Sequence, residues 1–133
     1  MRKWIAAALL FAPIGAHADD VKKLSGADLA VQTHKWDGKT VETSGSCFYA
    51  DVNEYRCVTF GVGGGARVDF STLEPDAARK KIEDHCDTIS KMLTKACIVR
   101  FRFVYESYDT HVSGSDVLHI VIAKDNAGTI VGK

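Results

Sequence analysis

The sequence lacks the short motifs that mark the common catalytic sites. It has no Cys-x-x-Cys pair, no G-x-S-x-G elbow, and no Lys-Ser/Thr ending after its glycine-rich run 61–65. These absences argue against a redox dithiol, a serine hydrolase and a phosphate-binding loop. The histidines at 34, 85, 111 and 119 do not have the short spacing of zinc ligands. We therefore predict no catalytic residue, no metal and no cofactor.

An excess of charge of either sign is also missing. The chain has 17 basic and 17 acidic side chains, and its formal net charge is zero with histidine neutral. General nucleic-acid binders usually carry a strong basic excess, because phosphate contacts supply most of their affinity. The charge balance argues against nucleic acid as the main partner.

Long apolar runs are absent after the first residues. Arg2 and Lys3 precede a mostly apolar stretch, 4–14, which is too short to span a bilayer. The small-x-small triplet 16–18 follows it, and this layout is typical of a secretory signal peptide cleaved after Ala18. We expect residues 1–18 to be removed, leaving a single domain, 19–133, that is periplasmic or secreted and has no membrane span.

Four cysteines remain after that cleavage, and an even number in a small exported domain predicts two disulfides. Three pairings are possible. A hairpin loop at 51–53 would place Cys47 opposite Cys57, and Cys86 and Cys97 would join a helix to the next strand. We therefore expect the local pairs, Cys47 with Cys57 and Cys86 with Cys97.

The order of the apolar patterns predicts a mainly β protein. Alternation of apolar and polar residues predicts strands, and apolar residues that recur every three to four positions predict helices in two segments. A polar loop is expected at 108–116. The expected helices are 21–31 and one after Ser71-x-x-Glu74 with an apolar stripe to Leu93; the expected strands are 39–49, 54–60, 66–70, 97–106 and 117–123. A five-stranded antiparallel OB-fold-like barrel fits, with a short N-terminal helix and a helix between strands 3 and 4. The alternative is an open antiparallel sheet with a helix on one face.

One stretch supports the barrel by resemblance. The run Trp36-Asp-Gly-Lys-Thr-Val-Glu-Thr-Ser-Gly45 resembles the opening of small exported bacterial OB-fold proteins, in the class of anticodon-binding-like OB domains. The resemblance implies an exported OB-fold protein whose biochemical role is ill defined. Gly45 fits it, because the first strand of such a barrel must bend.

The candidate ligand-binding residues are those that an OB barrel would present on strands 2 and 3 and their flanking loops. An alternative is that Phe48, Val58 and Phe60 belong to the core, and that Arg100 and Arg102 pair with acids on a neighbouring strand. The candidate residues are Tyr55, Arg56, Arg67, Tyr108 and His111.

We expect a non-enzymatic binding or interaction module rather than an enzyme. An unknown protein partner is ranked narrowly ahead of an oligosaccharide or a small molecule. Two alternatives remain, a weak binder of single-stranded nucleic acid and a metal-dependent phosphodiester hydrolase. The hydrolase would use acids and arginines near the first hairpin, namely Asp51, Glu54, Arg56, Arg67 and Asp69.

The signal-peptide prediction can be checked directly on the exported protein. When the whole chain is expressed in a bacterium, the mature protein should begin at Asp19, because cleavage follows the triplet ending at Ala18. Intact-mass measurement and N-terminal sequencing of the periplasmic fraction give the result. A full-length chain retained in the cytoplasm would contradict the prediction.

Overall fold

The computed structural model describes residues 20–31, 34–61, 64–113 and 116–133. The predicted signal peptide, 1–18, lies outside the described residues. Within the described ranges, no helix combines the length and apolar character needed to cross a membrane.

The described residues are mainly β, with two α-helices and short 3-10 turns. The helices are α1 (Gly26–Val31) and α2 (Asp76–His85). The strands are β1 (Lys22–Lys23), β2 (Thr40–Asp51), β3 (Glu54–Gly61), β4 (Gly64–Phe70), β5 (Thr72–Glu74), β6 (Ile98–Ser113), β7 (Asp116–Ala123) and β8 (Ala127–Gly132).

Five of these strands close into a barrel in the order β2-β3-β4-β7-β6, with β6 pairing back to β2. Four of the five pairings are antiparallel, and the pairing of β4 with β7 is parallel. The short strands extend this sheet: β1 pairs with β2, β8 with β6 and β5 with β8. This order, with α2 between β4 and β6, confirms the predicted OB-fold-like barrel.

Strand β2 changes partner at its middle. Residues 40–46 pair with β6, and residues 46–51 pair with β3. Gly45 lies at this change, and a Cβ atom there would stand 2.5 Å from the carbonyl oxygen of Val58. Only glycine leaves room for the two strands to approach this closely.

One face of β6 forms much of the core. Val99, Phe101, Phe103 and Tyr105 are all buried. The Phe70 ring meets the Phe101 and Phe103 rings edge-on, with both centroid distances 5.8 Å. These contacts fill the barrel interior and join β4 to β6.

Both helices are shorter than predicted. The residues after Ser71 form β5, which pairs in parallel with β8, so α2 begins only at Asp76. It ends at His85, because Cys86 leaves helical geometry and its carbonyl accepts a hydrogen bond from the Tyr49 amide at 2.7 Å. Ile89 and Leu93, predicted to continue the apolar stripe, are each 68% exposed.

Helix α1 starts five residues later than expected, because Lys22 and Lys23 pair with β2. Ser25 and Asp28 form a reciprocal cap at the start of this helix. The Ser25 amide donates to Asp28 Oδ2 at 3.2 Å, and the Asp28 amide donates to Ser25 Oγ at 3.1 Å.

The predicted polar loop at 108–116 is wrong. Strand β6 continues to Ser113 and β7 begins at Asp116, with the register running from Tyr108 opposite Val121 to Ser113 opposite Asp116. Polar side chains do not prevent strand pairing, since the hydrogen bonds of the ladder are made by backbone groups.

The two disulfides join the pairs expected from local geometry. Cys47 and Cys57 are direct cross-strand neighbours with Cα atoms 4.0 Å apart, and Cys86 and Cys97 tie the end of α2 to the start of β6. Each closes a short loop, for which the chain-entropy model gives roughly 2–3 kcal/mol of stabilisation.

The contact at Gly45 predicts a specific destabilisation. Gly45→Ala should lower the free energy of unfolding by roughly 1–3 kcal/mol, because the methyl group would push β2 away from β3. Ser44→Ala, one residue away and exposed, is the matched control and should change stability by less than about 0.5 kcal/mol. Urea unfolding of the oxidised proteins measures both, and equal effects would contradict the close approach.

Candidate functional site

The outer face of β3 and β4 contains two of the predicted ligand-binding residues. Arg56 lies opposite Asp69, and Val58 lies opposite Arg67. The neighbouring residues in each strand point inward and are buried, whereas these four are half-buried on the outside. Arg56 and Arg67 therefore share one surface, as the sequence suggested.

The charged side chains on this face neutralise one another. Arg56 Nη2 bonds to Glu54 Oε1, and its Nε lies 4.0 Å from Asp69 Oδ1. Arg67 Nη2 donates to Asp69 Oδ2 at 2.9 Å. Two arginines and two acids form a continuous row with no net charge, which we call the ion-pair row. The Nε atoms of Arg56 and Arg67 are buried without a hydrogen-bond partner among the described residues.

The hairpin tip 51–54 adjoins one end of the ion-pair row. Asn53, the third residue of the loop, has a φ of 57°, a left-handed conformation that asparagine tolerates. The Asp51 side chain accepts a hydrogen bond from the Val52 amide at 2.7 Å, and Val52 is 71% exposed. The Cys47–Cys57 disulfide braces the two strands behind this tip.

Tyr55 lies on the other face of β3 from Arg56. Its side chain is 5% exposed, and its hydroxyl donates to Glu83 on α2. Burial raises the pKa of Tyr55 to about 12, with further contributions from the hydrogen bond to Glu83 and the charge of that carboxylate. These contacts hold α2 against the barrel.

The remaining two candidates lie on β6. Tyr108 is opposite Val121 and His111 is opposite Leu118, within the β6–β7 hairpin. The positions of their side chains lie outside the described part of the structure. Of the five predicted ligand-binding residues, the described structure therefore brings Arg56 and Arg67 together on one face.

The residues considered for phosphodiester hydrolysis are gathered in the same region. Asp51 is at the hairpin tip, and Glu54, Arg56, Arg67 and Asp69 make up the ion-pair row. Among the described residues, no three His, Cys, Asp or Glu side chains are grouped so that they could hold a metal ion.

A second charged cluster lies on the outside of β2 and β6. Arg102 Nε donates to Glu42 Oε1 at 2.8 Å, and Arg100 Nε lies 3.4 Å from Glu42 Oε2. The Glu42 side chain is 6% exposed, while those of Arg100 and Arg102 are 44% and 42% exposed. The pairing of both arginines with an acid on a neighbouring strand was one of the sequence alternatives.

The neighbouring cations lower the pKa of Glu42. A hydrogen bond from Arg102 lowers the pKa of Glu42 below its ordinary value of 4.5, against the opposing effect of burial. The positive charges of Arg102, Lys23 and Arg100 lower this pKa further. Glu42 is the β2 neighbour of Lys23 on β1, a strand that the sequence pattern did not predict.

Comparison with known proteins adds only distant structural likenesses. No protein-family model and no curated protein sequence matches the chain. A structure described as an aspartyl-tRNA synthetase from Leishmania major Friedlin is 12% identical, with a TM-score of 0.42, over 86% of this chain and 21% of that one. The asparaginyl-tRNA synthetase of Entamoeba histolytica, solved with asparaginyl-adenylate, is 14% identical, with a TM-score of 0.39, over 85% of this chain and 24% of that one. The chain thus spans about a quarter or less of these proteins, and the fold assignment rests on the strand order and register above.

The Glu42 cluster predicts a pH-dependent contribution to stability. Because the pKa of Glu42 is lower in the folded state, its contribution is fully present above the ordinary value of 4.5 and is lost as pH falls through the folded pKa. Glu42→Gln should cost roughly 1–2 kcal/mol at pH 7, the order expected for charge-assisted hydrogen bonds, and less in acid.

Urea unfolding at neutral pH and near pH 3 measures the difference between wild type and E42Q. Asp84→Asn, at an exposed position on α2, is the control for removing one carboxylate. Wild type and E42Q of equal stability at pH 7 would contradict a stabilising role for the cluster.

Proposed function

We propose that this chain is an exported, non-enzymatic binding module whose partner is a protein. The partner would dock on the hairpin tip and the adjacent ion-pair row. The observation that carries the proposal is the braced tip with an exposed valine, Val52, beside charges that are already matched.

The electrostatics of the ion-pair row favour a protein over a polyanion. A nucleic-acid backbone is attracted by unpaired basic side chains, whereas Arg56 and Arg67 each have an acidic partner here. Alternating charges on a rigid surface can instead be matched by the mixed charges of another protein, which gives specificity more than raw affinity. The disulfide behind the tip reduces the entropy lost on binding.

Two disulfides support export, because such bonds persist in oxidising compartments and are rare in the cytosol. With the signal peptide expected at 1–18, the working form would be the domain 19–133 in the periplasm or outside the cell. An oligosaccharide or a small molecule bound at the same surface is the nearest variant of the proposal.

A phosphodiester hydrolase is the second candidate, favoured by the convergence of two acids and two arginines in the ion-pair row. It predicts metal-dependent turnover of a phosphodiester that disappears in Arg56→Ala. Single-stranded nucleic-acid binding is a third candidate, and it predicts affinity that falls steeply with salt.

The proposal predicts that capture of a protein partner depends on this surface. The immobilised 19–133 chain should retain a partner from a periplasmic extract, and Val52→Asp and Arg67→Ala should each weaken its binding by roughly tenfold or more. Lys80→Ala, on the exposed side of α2, is the matched control and should bind as wild type.

Calorimetry with the purified partner, repeated over a salt series, gives the affinities. A partner held equally well by all three variants would contradict the assigned surface. Tight, steeply salt-dependent binding of an oligonucleotide, or phosphodiester turnover lost in Arg56→Ala, would contradict the proposed function.

A further inference from the structure

The second charged cluster continues across three strands on the outside of the barrel. In the β-sheet register, Lys23 on β1 is the neighbour of Glu42 on β2, and Glu42 is the neighbour of Arg102 on β6. Ser44 and Arg100 form the next pair along β2 and β6. Cross-strand neighbours present their side chains on one face, so these five residues share a surface that contains none of the ion-pair row.

The charges on this surface do not balance. Glu42 supplies one carboxylate, and its two oxygens are already engaged by Arg102 and Arg100. Lys23 forms no ion pair with any residue that the structure describes, although its charge acts on Glu42. Three cations against one carboxylate leave two positive charges. A single arginine would be enough to pair with Glu42 and to link β2 to β6.

The Arg100 side chain is held in place by its contacts and keeps N–H donors that have no partner among the described residues. Its Nε lies beside Glu42, and its Nη2 donates to the Val131 carbonyl at 3.3 Å. Its Nη1 group has no partner within the described ranges, and the side chain is 44% exposed. A guanidinium fixed in this way loses little conformational entropy when it binds an anion.

A groove of about 490 Å³ opens beside Arg100, between the start of α1 and strand β2. Its volume exceeds that of a single phosphate group and is in the range of small-molecule sites. Polar and charged residues on its wall are Lys23, Ser25, Glu42, Thr43, Ser44 and Arg100. Hydroxyl groups next to two cations offer hydrogen bonds to a polar, anionic molecule.

We propose that this groove binds the phosphate monoester of a sugar-sized molecule. A phosphate monoester carries close to two negative charges at neutral pH, which matches the two uncompensated positive charges. Lys23 and Arg100 contact the phosphate, and Ser25 and Ser44 bind hydroxyl groups of the attached sugar. The site uses no residue of the proposed protein-binding surface, so each proposal can fail without the other.

The test measures binding of defined phosphate compounds to the disulfide-bonded chain by calorimetry and amide chemical shifts. The probes are glucose 6-phosphate, glucose, inorganic phosphate, and vesicles of phosphatidylcholine with or without phosphatidic acid. Glucose 6-phosphate should bind saturably and at least tenfold more tightly than glucose or inorganic phosphate, and should shift the amides of 23–26, 42–44 and 100. Preferential binding to phosphatidic acid vesicles would support the phosphate contacts of Lys23 and Arg100 and would contradict a sugar as the attached group.

Two substitutions distinguish binding in the groove from non-specific attraction by the protein's positive charges. Lys23→Gln should weaken glucose 6-phosphate binding by roughly tenfold, and it leaves both arginines on Glu42, so folding should be retained. Lys80→Gln, which removes the same charge from exposed α2, should change the affinity by less than twofold. The proposal is overturned by absence of saturable binding to every phosphate probe, or by equal losses in the two variants.

Discussion

The hydrogen bonds that β2 makes with β6 along its first half and with β3 along its second half hold the barrel closed. This division requires the strand to bend where its backbone meets Val58, and Gly45 permits the contact. The Cys47–Cys57 disulfide then fixes β2 to β3 just beyond the bend. Both candidate surfaces depend on this strand, since each half of β2 supports one of them.

The two surfaces differ in their electrostatics. On the β3–β4 face each arginine has an acidic partner, and the hairpin tip adds an exposed apolar side chain. On the β1–β2–β6 face, one buried carboxylate pairs with two arginines, and the face keeps a net positive charge. The first pattern suits a protein surface of mixed charge, and the second suits a small anion.

The sequence predicted the parts of the fold that local patterns determine. The strand predicted at 97–106 lies within β6 apart from its first residue, and the spacing of Cys47 and Cys57 around the 51–53 loop gave their opposed register. The elements that depend on distant partners were missed. Thr72–Glu74 forms a strand only because β8 is beside it, and Lys22–Lys23 only because β2 is.

The candidate sites show the same limit. Arg56 and Arg67 could be placed together from strand alternation, but their pairing with Glu54 and Asp69 depends on the β3–β4 register. Tyr55 was grouped with Arg56 although adjacent residues of a strand face opposite ways, and its hydroxyl bonds to Glu83, 28 positions along the chain. The cluster around Glu42 could not be predicted either, because it combines residues of β1, β2 and β6 and depends on their register.

Native-state hydrogen exchange of the oxidised chain tests the central role of β2 most directly. If β2 organises the barrel, its paired amides between Thr40 and Tyr49 should exchange only through global unfolding, with the same free energy as the paired amides of Val99–Phe103 on β6. Exchange of the β2 amides through a lower-energy opening, while the β6 and β7 amides stay protected, would contradict the account.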